Sequence, residues 1–280
     1  MNEQLLQSII RLYALLAGTD GLLDVEYQRI EKFLGHHLSG RSVVFFLEQL
    51  SKAVAKVEKH RENDVWRDSE LSEIAGLVNK ELRLDQKFYL YLELVELSAI
   101  DGRISKGEGM ILRQLPELFH LQKADVDALK KFALGRVIQD FDAPNLLLIS
   151  GDSDIQPLHS IFWKRTGLNG FIVVFKQPSV PAYFVRYIGE EETTLNGQIV
   201  QSGMSLVWAT GATIRQGDVD PIYFTDIRER FSTPVNKPPI SFEAIDISFQ
   251  FANGKTGLQK LSLAEKGGRM VAIMGASGSG

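Results

Sequence analysis

The period of the hydrophobic pattern changes once along this chain, and that change limits the folds open to it. Up to about residue 139, apolar residues recur at helical spacing: Leu5, Ile9, Leu12, Tyr13 and Leu16, then Val43, Leu47, Leu50, Val54 and Val57. The run from Phe88 to Ile100 is apolar nearly all round, which predicts a central buried helix. From Leu146 to Phe224 short β-prone runs take over: Leu146–Ile149, Ser160–Lys164, Phe171–Phe175, Ala182–Ile188, Gln198–Val200, Ser205–Trp208 and Ile222–Thr225. Gly151-Asp152, Asn196-Gly197 and Gln216-Gly217-Asp218 are among the turn signals between them. The expectation is an all-α domain over 1–139, then an all-β sandwich or small barrel over 144–231. Asp226 to Phe231 predicts a short helix, and the three prolines in 232–239 predict a linker.

Composition excludes several classes of function. A net charge of −4 gives no electrostatic footprint for nucleic acid. The sequence has no cysteine, so disulfides, thiolate metal sites and a cysteine nucleophile are ruled out. No apolar run approaches the roughly 18 residues of a membrane span. No Ser/His/Asp constellation stands at usable spacing, and no residue is assigned a catalytic role.

Residues 240–280 are the most specific stretch. Ile240, Phe242 and Ala244 alternate; after a change of phase, Ile245, Ile247, Phe249 and Phe251 alternate, which predicts a bulged strand. Asn253-Gly254 signals a hairpin turn, and Leu258, Leu261 and Leu263 a second strand. Gly267-Gly268 marks a further turn before an apolar strand, Met270–Met274. That strand runs into Gly275-Ala276-Ser277-Gly278-Ser279-Gly280, the six residues that precede the lysine in the phosphate-loop pattern G-x-x-x-x-G-K-[ST]. Glycines let backbone N–H groups converge on phosphate oxygens without a Cβ in the way. A Gly/Ser tail alone is more often a linker than a nucleotide site.

Taken in order and at this spacing, the bulged strand, the hairpin turn, the second strand and the Gly-rich loop resemble the opening of an ATP-binding-cassette (ABC) transporter ATPase domain. The resemblance implies the truncated start of an α/β P-loop nucleotide-binding domain. In that family an aromatic just before the first hairpin turn stacks on adenine, and Phe251 holds the place; the residue also reads as plain strand core. The resemblance implies nucleotide binding by Phe251, Gly275, Ala276, Ser277, Gly278, Ser279 and Gly280, with ATP and Mg²⁺ as cofactors. It further implies a second ABC domain as dimer partner, a membrane permease, and a cytoplasmic place at the inner face of the membrane. The lysine and all later motifs of the family would lie past Gly280, so residues 1–280 alone are expected to show no ATP turnover.

The helical part carries an internal repeat. Leu15-Leu16-Ala17-Gly18-Thr19-Asp20-Gly21-Leu22-Leu23-Asp24-Val25-Glu26 returns as Leu97-Ser98-Ala99-Ile100-Asp101-Gly102-Arg103-Ile104-Ser105-Lys106-Gly107-Glu108. Each copy reads as a helix end, an Asp-Gly turn and a capped helix start. Ser105 and Glu108 fit a capping box, and Asp24 is the matching cap in the first copy. This arrangement resembles the TerB-like helical domain of tellurite-resistance proteins, which implies a divalent metal at Asp20, Asp24, Glu26, Asp101 and Glu108. The same acids also read as caps favoured by the helix dipole. The stretch Tyr183 to Ile214 resembles the end of a forkhead-associated domain, but the Arg and Ser-x-x-His that would hold a phosphate have no counterpart, and Asn196-Gly197 is more simply a hairpin turn. The alternative to a transporter ATPase is a regulatory or scaffold module that binds a partner protein or divalent metal.

Overall fold

The computed structural model describes residues 3–152, 154–232, 241–266 and 271–272. The chain divides into two compact units, Met1–Phe231 and Ser232–Gly280.

The first unit opens with seven α-helices among the described residues: α1 (Glu3–Ala17), α2 (Asp24–His37), α3 (Gly40–Lys59), α4 (Asp64–Glu81), α5 (Leu84–Ser98), α6 (Lys106–Leu118) and α7 (Lys123–Leu134). The periodic residues of α1 are buried, and Leu12 and Leu16 are fully so. Helix α5 is buried nearly all round, with Phe88, Tyr91, Leu92 and Leu94 sealed from solvent. It stops at Ser98, so Ile100 lies in the following turn and is exposed. Among the described residues no helix is long and apolar enough to cross a membrane.

Two open sheets follow. The strands are β1 (Leu146–Ser150), β2 (Ile161–Lys164), β3 (Phe171–Lys176), β4 (Tyr183–Ile188), β5 (Thr193–Leu195), β6 (Gln198–Ile199), β7 (Ser205–Val207), β8 (Thr213–Gln216) and β9 (Ile222–Tyr223). One sheet has the order β2-β1-β3-β4-β7 and the other β6-β5-β8-β9. Among the described residues neither closes into a barrel. Strands β1 and β2 pair in parallel, and the other neighbours pair antiparallel.

Both faces of the five-stranded sheet are buried, which is why β1 and β3 read as continuous apolar runs rather than alternating ones. Leu146, Leu148, Val173, Phe175 and Phe184 join the helical core. Leu147, Ile149, Ile172, Val174 and Val185 join a second core with Leu195, Ile214 and Ile222 of the four-stranded sheet. Helix α8 (Phe224–Phe231) closes the second core with Ile227 and Phe231. It takes in Thr225, where the sequence pattern predicts a strand.

The second unit contains an antiparallel ribbon of β10 (Ser241–Gln250) and β11 (Thr256–Lys266). Its register shifts between Ala244 and Ile247, and Asp246 takes a positive φ of 53° there. The change of phase in the sequence is therefore a bulge. Gly254, at φ 79°, makes the turn. Val271 and Ala272 lie in no strand. The rest of Met270–Met274, Gly267-Gly268 and all of Gly275–Gly280 lie outside the described residues.

Candidate functional site

Phe251 sits at the turn end of the ribbon. Its N–H donates to the Lys255 carbonyl (2.8 Å), and its carbonyl accepts from Gly254 N–H (2.9 Å). The residue is 53% exposed, and its ring meets Phe249 edge-on, with centroids 5.1 Å apart. Beside them stands Gly257, where a Cβ would fall 2.6 Å from Phe251 Cε2 and 2.9 Å from Phe249 Cδ1. Glycine at 257 thus makes room for both rings. The result is an aromatic surface held at one edge and open to solvent, which suits stacking on a planar base. Gly275, Ala276, Ser277, Gly278, Ser279 and Gly280 lie outside the described residues.

The repeat brings its two copies together. Gly21 and Gly102 both take positive φ, at 107° and 98°. Glu26 Oε2 accepts from Leu23 N–H (2.8 Å), and Glu108 Oε2 accepts from Ser105 N–H (2.7 Å). The two glutamates therefore occupy the same position, the third of their helices. The first copy is one residue shorter between its glycine and its cap. The N-cap of α2 is Leu23, so Asp24 is the first helical residue and not the cap expected from the sequence. Contact between the copies is direct: Thr19 Oγ1 and Ser105 Oγ lie 3.3 Å apart. A Cβ at Gly107 would fall 2.6 Å from Thr19 Cβ, so only glycine allows this approach.

Glu26 and Glu108 are buried, while Asp20, Asp24 and Asp101 are exposed. Burial pushes the Glu26 carboxyl up to about 7; the Leu23 amide opposes this, and the charges of Glu108, Asp20 and Asp101 add to it. Glu108 is also raised, again chiefly by burial, against the hydrogen bonds from Ser105. Glu26, Glu108, Asp20 and Asp101 thus share one electrostatic neighbourhood. Among the described residues no group of three or more His, Asp or Glu side chains stands ready to hold a metal ion. The arrangement as it stands is suited to taking up a proton near neutrality.

A third set of residues belongs to no sequence motif. Arg29 of α2 binds Glu93 (2.9 Å) and Glu96 (2.6 Å) of α5 through Nη2. Glu96 also accepts from the Ser205 hydroxyl and, at 3.3 Å, from Ser205 N–H of β7. Arg186 of β4 donates to the carbonyls of Phe132 (2.9 Å) and Ala133 in the last turn of α7. Burial raises the Glu93 carboxyl to about 7, and Arg29 pulls the other way. The sequence does hold a signal for them: two glutamates on an otherwise apolar helix, and one arginine in an apolar strand, each need buried partners.

Against protein-family models, curated proteins and solved structures, the chain gives no match.

Proposed function

We propose that this chain contributes the opening segment of an ABC-type ATPase, with the helical and β-rich unit attached ahead of it. Phe251 stacks on the adenine of ATP, and Gly275–Gly280 supply backbone N–H groups to the phosphates, with Mg²⁺ bound alongside them. Hydrolysis, pairing with a second cassette and coupling to a membrane permease belong to the same reading.

The observation that supports it best is the ribbon beside its sequence context. A bulged two-stranded ribbon is marginal alone. Here Phe242, Ile245, Ile247, Phe249 and Leu261 are exposed along it, a surface that a further layer of a nucleotide-binding domain would cover. The open ring of Phe251 stands at its turn, ahead of the Gly-rich loop in the sequence. The test is equilibrium binding of MgATP to the natural polypeptide. Base stacking is worth about 1–3 kcal/mol, so Phe251→Ala should weaken binding by about 5- to 150-fold. Equal affinity in the variant would remove Phe251 from the site.

A further inference from the structure

A cleft of about 520 Å³ opens inside the first unit, between α2, the end of α5, the residues after α7, β4 and the loop 201–204. That volume suits a small molecule. Four cations line it: Arg29, Lys32, Arg136 and Arg186. Glu96 and Asp101 are the carboxylates in its wall. Arg29 is paired with Glu93, which lies behind the wall, and with Glu96. In the lining, four cations thus stand against two carboxylates, and among the described residues Lys32, Arg136 and Arg186 form no ion pair within 4 Å.

Arg186 is the most telling. It is 8% exposed, and its Nη1 is held by two carbonyls of α7. Its Nε, like that of Arg29, is buried without a hydrogen-bond partner. The carboxylate nearest in effect, Glu96, is already bound to Arg29 and Ser205, and a buried guanidinium held only by carbonyls is costly unless an anion completes it. Its neighbours Arg29 and Arg136 are themselves cations, and burial together with their charge lowers its pKa, against the pull of Glu96. The loop wall is close and small: a Cβ at Gly203 would lie 3.7 Å from Arg186 Nη2.

We propose that this cleft binds a phosphate-bearing small molecule. Arginine forks match phosphate oxygens in geometry as well as charge, and the excess of two positive charges in the wall matches a phosphate dianion. Arg186 is the buried anchor. Lys32 and Arg136 are exposed and stand at the rim.

The test is calorimetric titration of the whole chain at low salt with inorganic pyrophosphate, and separately with inorganic phosphate. Saturable binding of at least one is expected, weakened about tenfold or more by Lys32→Gln with Arg136→Gln, since each lost charge-assisted contact is a strong one. Both positions are exposed, so the melting temperature should not move. Arg186→Lys should also weaken binding, because the charge remains and the fork is lost. Anion bound at Gly275–Gly280 instead would be unaffected by the double variant, so the weakening by that variant separates this site from the ATP reading. Absence of saturable heat with both anions, or affinity unaltered in the double variant, would each overturn the proposal.

Discussion

Glu26 is a carboxylate whose surroundings oppose its charge. Its folded-state pKa is raised from 4.5 to about 7. Between those values the folded chain holds a proton that the unfolded chain has released, so stability falls as pH rises through this window and is level above it. The loss is about 1–2 kcal/mol after allowance for solvent screening. Glu26→Gln keeps an oxygen for the Leu23 N–H and removes the charge. The variant should melt higher than the parent at pH 8 and nearly with it at pH 4. Thermal denaturation at the two pH values checks this; equal shifts at both would place the effect in packing and not in charge.

At the scale of elements, α5 joins the two halves of the first unit. Its apolar faces fill the helical core, and its two glutamates reach Arg29 on α2 and Ser205 on β7. Removing one member of such a network leaves charges buried and unpaired. Arg29→Ala should therefore cost about 3–5 kcal/mol in urea denaturation at pH 8. The cost should shrink at pH 5, where Glu93, already raised to about 7, is protonated. A cost that does not change with pH would contradict the assignment. Helix α1 is legible in the sequence because its apolar residues recur at the 3.6-residue period, and α5 because it is apolar nearly all round. Strands β5 and β8 are not. Of their two inward-facing pairs, Leu195 with Ile214 is apolar but Thr193 with Gln216 is polar, bonded at 2.8 Å, so each short strand turns a single apolar residue inward and shows no alternation.

Across the whole molecule, the succession of helices, sheets and ribbon is readable from the sequence, including the bulge at Asp246. Two things are not. The five-stranded sheet is covered on both faces, by the helices on one side and the second sheet on the other, and this joins parts that composition alone separates. The cleft is built from Arg29, Arg136 and Arg186, which are far apart in sequence and meet only in the fold. The proposed role in ATP binding rests on a different place, the exposed ring at the turn of the ribbon. Phe251→Trp, made in the natural polypeptide, turns that ring into a reporter, read as the difference from the unsubstituted protein with its Trp66, Trp163 and Trp208. Saturable quenching of the added tryptophan by MgATP, absent with pyrophosphate, is the predicted result; unchanged emission at saturating MgATP would contradict the account.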